Sequence, residues 1–215
     1  MTMTNESISI RTVERLALYR KVLSELALSG TDYVFSHKLA SLAGVTPAQL
    51  RRDLASFGSF GNVSRGYGVK DLSATIGRLL GTNVPKNVIL IGVGNLGKTL
   101  LTYRGFEERG FKIVAAFDRD REKTDRIYAG RRIFHVDQLE QAVADLDVQM
   151  AILACGPTEL NTLVARLGSV GICHILNFVP VLIPEVPGVY VEDVDISAKL
   201  EKLSFLQTNG IVGDE

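Results

Sequence analysis

The chain has 215 residues, enough for two small domains or one larger one, and 46% of them are hydrophobic. No apolar run reaches membrane-spanning length and the N-terminus lacks a basic-then-apolar leader, so the expected location is the cytoplasm. The zero net charge balances unlike halves: ten Lys/Arg against six Asp/Glu through Gly81, then fourteen against eighteen, so only the front half is expected to meet a polyanion.

In chain order, Val13, Leu16, Leu18, Val22, Leu23 and Leu26 give residues 12–28 a broad apolar stripe, which predicts a helix ended by Gly30. Ser36 is the expected N-cap of a short helix through Leu42, and Gly44 makes the turn that follows. Thr46 caps the next helix, with Pro47 in its first position and Gln49 placed to complete a capping box. Leu50, Leu54 and Phe57 recur at i, i+4 and i+7 and face the core. Ala48, Arg51, Arg52, Ala55 and Ser56 lie opposite. Short helix, glycine turn and capped second helix make a helix-turn-helix. Two adjacent arginines among small residues suit a helix entering the major groove, where arginine clamps phosphates or takes guanine O6 and N7 with two bonds. The expected DNA contacts on this helix are Thr46, Gln49, Arg51, Arg52 and Ser56. A solvated face is the plainer alternative for an Arg-Arg pair. Glycines at 58, 61, 66 and 68, with Arg65 and Tyr67 among short β-prone residues, read as a hairpin. Behind a recognition helix it is expected to be a wing, from which Arg65 would enter a minor groove; an ordinary turn with an exposed arginine is the plainer alternative. Residues 70–81 read as a helix and 82–85 as a linker.

An apolar run at 88–91 reads as a buried parallel strand. Gly92-Val93-Gly94-Asn95-Leu96-Gly97 follows, fits G-x-G-x-x-G, and leads into a helical stretch over 98–109. Asp118 ends a second apolar run, 113–117, 21 residues after Gly97. Strand, glycine turn, helix, second strand and acid together are the dinucleotide fingerprint. Gly92 allows the tight turn, Gly94 lets backbone approach a pyrophosphate, and Gly97 lets helix and strand pack closely. The helix N-terminus offers N–H groups and the positive end of its dipole. Further apolar runs at 150–155 and 174–178 alternate with helical stretches at 137–145 and 159–167. The expected fold is therefore α/β, a doubly wound Rossmann-type parallel sheet that takes its ligand at the strands' C-terminal ends. Cys155, Gly156 and Pro157 fall there, as do Asn177 and Phe178. Asp118 is expected to hold the adenosine ribose and repel a 2′-phosphate, favouring NAD over NADP; Arg119 and Arg121 oppose that exclusion. Cys155 and Cys173 lie in apolar runs with no C-x-x-C spacing, so both read as buried thiols. His37, His135 and His174 have no metal spacing, and no metal is expected. Asp195 opens a last helix with Leu200, Leu203, Phe205 and Leu206 on it, closed by Gly210. Its stripe packs either on its own domain or on a partner.

Taken together, these motifs resemble those of the Rex family of redox-sensing transcriptional repressors. The resemblance rests on Arg51-Arg52-Asp53-Leu54, Phe57-Gly-x-x-Gly61, the Ile91 to Gly97 loop, Ile175-Leu-Asn-Phe-x-Pro180 and Val194-Asp195, and runs from about residue 15 to residue 206. It implies three parts: a winged-helix DNA-binding domain at 1–81, an NAD(H)-binding Rossmann domain at 86–196, and a C-terminal helix at 197–215 swapped onto the partner of a homodimer. It also implies a repressor that binds a palindromic operator and leaves it when NADH binds. Tyr103 would sit near the nicotinamide, Asp195 would approach from the partner chain, and Arg20 or Lys21 would pair with Asp195 in one state. Two positions depart from the family pattern. The wing reads Asn-Val-Ser-Arg-Gly-Tyr-Gly, shifted from the more usual Arg/Lys-Gly-x-Gly-Tyr, and Ile196 stands where an aromatic is sometimes found.

The rival reading is an NAD-dependent oxidoreductase. Hydride transfer from an alcohol needs a general base or metal beside the nicotinamide. The back half has no Tyr-x-x-x-Lys pair and no His-Asp constellation, and His174 falls at a strand start, the wrong end of the sheet. The chain is therefore expected to have no catalytic residues and not to be an enzyme.

Overall fold

A computed structural model describes residues 8–58, 65–158 and 160–212. Positions 59–64 of the expected wing, Glu159 at the head of the helix expected over 159–167, and the end of the segment 197–215 lie outside the described residues. Contacts divide the chain into two compact units, Met1–Val84 and Pro85–Glu215.

The first unit runs α1 (Ile10–Leu28), β1 (Tyr33–Val34), α2 (Ser36–Leu42), α3 (Pro47–Ala55), β2 (Tyr67–Gly68) and α4 (Val69–Leu79). Helix α1 begins at Ile10, two residues before the expected start at residue 12, because the Ser9 side chain accepts the Thr12 N–H and caps it. Ser36 is not a cap. It is the first helical residue, and extended Phe35 holds the cap position without a side-chain bond. Thr46 caps α3 as expected, accepting the Gln49 N–H at 3.1 Å. The capping box stays half-made, because the Gln49 amide donates to Asp53 at 2.8 Å instead of turning back. Strand β2, in the stretch expected to form the wing, pairs antiparallel with β1, a two-residue strand that the pattern of apolar residues did not announce, with Tyr33 opposite Gly68 and Val34 opposite Tyr67. Leu16, Tyr19, Leu23, Leu39, Leu50, Leu54 and Ile76 fill the core.

Asp53, the third residue of Arg-Arg-Asp-Leu, is 3% exposed in that core. Its carboxylate accepts Arg15 Nε at 2.6 Å and Nη2 at 2.7 Å, the Tyr19 hydroxyl at 2.7 Å and the Gln49 amide. Burial alone would raise its pKa. The bonds from Arg15, Tyr19 and Gln49 outweigh that and hold the carboxyl below its ordinary value. Burial, and after it the bond to the Asp53 carboxylate, push the Tyr19 hydroxyl up, while Arg15 pulls the other way. This bidentate clamp locks α3 onto α1.

The second unit runs β3 (Lys86–Ile91), α5 (Asn95–Thr102), β4 (Phe111–Asp118), β5 (Arg126–Tyr128), β6 (Arg131–His135), α6 (Leu139–Ala144), β7 (Val148–Leu153), α7 (Leu160–Ser169), β8 (His174–Asn177), β9 (Tyr190–Asp193) and α8 (Ile196–Thr208). The sheet order is β5-β6-β4-β3-β7-β8-β9, parallel throughout except for β5. Strand order reverses between β3 and β7, the doubly wound arrangement expected. Helix α5 is shorter than the stretch 98–109. It starts inside the glycine loop and stops where Tyr103 turns extended (φ −75°, ψ 107°), and a 3-10 turn follows at Glu107–Arg109. Strands β5, β6 and β9 were not foreseen. They are short and lie at the sheet's margins, and β5 is exposed at every position, so none carries a long apolar run.

One face of the sheet, with Ile89, Ile91, Ala115, Phe117 and Leu153, is covered by Leu139 and Val143 of α6 and Leu160, Val164 and Leu167 of α7. The other, with Val88, Leu90, Ile113, Ala116 and Ile152, packs Leu101 of α5. This second face keeps an open apolar cleft of about 400 Å³ beside Phe106, Phe111, Met150 and Leu176. No residue of α8 is buried, and Ile196, Leu200, Leu203 and Phe205 are exposed. Gly210 ends α8 in the left-handed region, with Gly210 N–H to the Gln207 carbonyl and Ile211 N–H to the Leu206 carbonyl. No helix among the described residues is long and apolar enough to cross a membrane.

Asp53→Ala leaves Arg15 without its carboxylate and Tyr19 without its acceptor. The expected loss at pH 7 is about 2–4 kcal/mol, below the full cost of a broken buried pair because Arg15 keeps partial access to water. Urea unfolding followed by circular dichroism measures it. The folded Asp53 pKa lies below its ordinary value near 3.8. Its stabilisation is therefore complete above that pH and is lost as pH falls through the lower, folded value. The gap between wild type and variant should close in strong acid.

Candidate functional sites: an arginine-bearing helix and a glycine-loop cleft

On the first unit, burial of Leu50, Asp53 and Leu54 turns the opposite face of α3 outward. Thr46, Ala48, Arg51, Arg52, Ala55 and Ser56 are exposed there and Gln49 is half-buried. Arg51 Nη1 reaches Ser36 Oγ at 3.3 Å, tying α3 to the start of α2. Ser56 donates its hydroxyl to the Arg52 carbonyl at 3.1 Å, and Gln49 donates one amide hydrogen to Asp53. Of the residues singled out on this helix, Arg51 and Arg52 carry the outward charge.

On the second unit, β3 ends at the glycine loop. Gly92 takes φ +98°, its N–H donates to the Phe117 carbonyl at 2.7 Å, and a Cβ there would stand 2.6 Å from the Ala154 carbonyl. A Cβ on Gly97 would run into the Gly92 carbonyl oxygen. A Cβ on Gly94 would meet nothing within 4 Å, so that position faces open space. Gly94 is also the cap of α5 and offers no side-chain bond, leaving the first N–H groups of the helix for an incoming group.

A cleft of about 260 Å³ lies at the C-terminal ends of β3, β4 and β7, where strand order reverses. Of the predicted residues, Gly92, Gly94, Asp118, Cys155 and Gly156 line it. Asp118 is 7% exposed. Its Oδ2 accepts the Val93 N–H at 2.7 Å, its Oδ1 accepts the Asp120 N–H at 2.9 Å, and Lys123 Nζ stands 3.7 Å away. His135 steadies the following turn with Nε2 3.0 Å from the Arg119 carbonyl. Burial pushes the Cys155 thiol up, which keeps it protonated at neutral pH.

Lys123, Val136, Thr158, Thr162, Leu163 and Arg166 also line the cleft and were not foreseen. Thr162 and Arg166 stand four apart on one face of α7, a spacing that could have been read. Arg166 is braced by Glu140, 2.8 Å from its Nε, and by the Val136 carbonyl.

Other predicted residues stand elsewhere. Val93 is fully buried and contributes its N–H to Asp118. Asn95, Leu96 and Gly97 form the first turn of α5. Pro157 leads toward α7 and is not in the lining. Asn177 is 1% exposed. Its amide donates to Asp193 Oδ1 at 2.7 Å and to the Val179 carbonyl at 3.2 Å, and its Oδ1 accepts the Val179 N–H. Its side chain thus shapes a turn and is not offered to the cleft. Phe178 packs on the second face of the sheet. Tyr103 closes the far end of α5, 58% exposed, its ring edge-on to Phe106 at 5.1 Å; a Cβ at Gly105 would strike that ring. Asp195 caps α8 by accepting the Ala198 N–H at 3.0 Å. Neither Tyr103 nor Asp195 lines the cleft. No group of His, Cys, Asp or Glu among the described residues is arranged to hold a metal.

Residues 7–55 match the family model described as Putative DNA-binding protein N-terminus, and residues 83–181 the one described as CoA binding domain. The redox-sensing transcriptional repressor Rex of Rhodopirellula baltica is 39% identical over 92% of this chain and 84% of its own. The crystal structure of RSP, a Rex-family repressor, with β-NAD⁺ and operator DNA superposes with a TM-score of 0.86 at 30% identity, covering 94% of each chain. RSP with β-NADH gives 0.86 at 28% identity, covering 96% of this chain and 97% of that one. With fold, order of domains and identity agreeing along both units, the chain belongs to the Rex family of redox-sensing transcriptional repressors.

Proposed function

We propose that this chain, as a homodimer in the cytoplasm, binds a palindromic operator through α3 and releases it when NADH occupies the glycine-loop cleft. One observation carries the reading: a single chain joins an outward arginine-bearing helix to a Rossmann cleft. RSP, similar over nearly the whole length, is known in complex with β-NAD⁺ and operator DNA and with β-NADH.

Each role has a local physical reason. Arg51 and Arg52 contact phosphates or base edges, supported at their flanks by Thr46 and Ser56. Gln49 is held by its bond to Asp53 and offers its carbonyl and its second amide hydrogen. The uncapped start of α5 and the open space at Gly94 suit a pyrophosphate. Asp118 keeps lone pairs for a ribose while its bonds to the Val93 and Asp120 N–H groups fix its direction. Nicotinamide differs in charge between NADH and NAD⁺, so discrimination needs a polar group at that end. Tyr103 and the partner copy's equivalent of Asp195 are the assigned pair. Helix α8 buries nothing within its own chain, and the second face of the sheet keeps an apolar cleft. Two such surfaces support a dimer in which α8 crosses to the partner, bringing Asp195 with it. NADH and operator then prefer different arrangements of the dimer, and each weakens the other by the same factor.

An oxidoreductase is the second reading, and the cleft argues against it. Among its described lining residues, Asp118 is already bonded to backbone N–H groups and Cys155 is held as a thiol, so neither is free to move a proton. Incubation with NADH and a panel of carbonyl compounds should show no absorbance loss beyond one equivalent per chain. Steady turnover would revive the enzyme. Arg51→Ala and Arg52→Ala should each weaken operator binding about tenfold and lower the salt slope by about one if they clamp phosphates. NADH affinity, read by fluorescence, should not change. Tyr103→Phe and Asp195→Ala should bind operator normally but need several-fold more NADH for release in a mobility-shift titration; an unaltered NADH response would remove those two residues from the sensor.

A further inference from the structure

The wing's basic residue does not stand alone. Arg65 lies at its base with its guanidinium carbon 5.6 Å above the centre of the Tyr33 ring. Tyr33 comes from β1, and the antiparallel pairing of Tyr33 with Gly68 and Val34 with Tyr67 sets the two chains side by side. Gly66 fixes the crossing: it takes φ +79°, and a Cβ there would lie 2.6 Å from the Val34 carbonyl oxygen, so only glycine lets the wing return this closely over β1. Arg65 is thus held next to β1 by backbone geometry and over Tyr33 by the ring. Tyr33 is 53% exposed and belongs to no core cluster, so packing does not explain it.

We propose that Tyr33 is a positioning residue for DNA recognition, holding Arg65 over its ring so that the guanidinium edge is presented to the operator's minor groove. This rests on the DNA-binding reading above. An exposed arginine loses rotamer freedom when it docks; a guanidinium already resting on an aromatic face has lost part of it beforehand and keeps its N–H groups free at the edge.

The test uses the full-length protein and a fluorescent duplex that the wild-type protein selects from a random pool. Affinity is measured for wild type, Tyr33→Phe, Tyr33→Leu, Arg65→Ala and the Tyr33→Leu/Arg65→Ala double variant, with A·T and with G·C pairs at the wing-facing flanks. Tyr33→Leu should weaken binding about three- to fivefold, Tyr33→Phe should restore it, and the double variant should bind like Arg65→Ala alone. Wild type should prefer A·T flanks, and both Tyr33→Leu and Arg65→Ala should lose that preference. A purely structural tyrosine would leave the flank preference untouched. Wild-type affinity in Tyr33→Leu, or additive losses in the double variant, would overturn the proposal. If Arg65→Ala binds normally while Arg51→Ala and Arg52→Ala do not, the proposal fails and the repressor reading stands. If the wild-type protein selects no duplex at all, both fail.

Discussion

At the end of β3 a carbonyl oxygen leaves no space for a side chain. The Gly92 oxygen lies so close to Gly97 that any Cβ there would overlap it, and Gly92 itself is pressed against the Ala154 carbonyl in a left-handed conformation. That approach turns the strand directly into α5 and sets the helix start, free of any side-chain cap, over the point where strand order reverses. It also places the Val93 N–H within 2.7 Å of Asp118, so one acid serves both the loop and the cleft. The loop, the start of α5 and the direction of Asp118 all follow from this packing. Substituting either glycine would cost the fold before it cost the ligand.

The first unit depends on a different device, a buried charge. Asp53 sits on the inward face of α3 and gathers Arg15, Tyr19 and Gln49 around it. The carboxylate fixes both the roll of α3 and its attachment to α1, so Arg51 and Arg52 can point outward only as a consequence. A satisfied polar cluster of this kind specifies geometry more than it adds stability.

Parts of this were legible in the residues. The glycine loop was, because each glycine answers a separate backbone demand, and so were the long parallel strands, whose apolar runs have no exposed face. The Thr46 cap and Pro47 marked α3. Strands β1, β5 and β9 were not legible: two to four residues at an edge or in a ribbon carry too little pattern to separate them from loop. Asp53 looked like one more polar residue beside two arginines, since nothing local tells a buried carboxylate from an exposed one. Asn177 was placed at the right end of the sheet but shapes a turn there. Arg166 and Thr162 reach the cleft from α7, far along the chain, and only the crossover of the sheet brings them in. Tyr103 and Asp195 stand outside the cleft of a single chain; the roles assigned to them need a second copy.

A switch that reads a nucleotide without consuming it is defined by reciprocity: whatever NADH does to operator affinity, operator must do to NADH affinity. The most direct test is therefore a pair of titrations on the intact protein, measuring the NADH dissociation constant with and without saturating operator and the operator constant with and without saturating NADH. Both ratios should favour dissociation and be equal, and NAD⁺ should give much smaller ones. Ratios of one would contradict coupling between the α3 surface and the glycine-loop cleft.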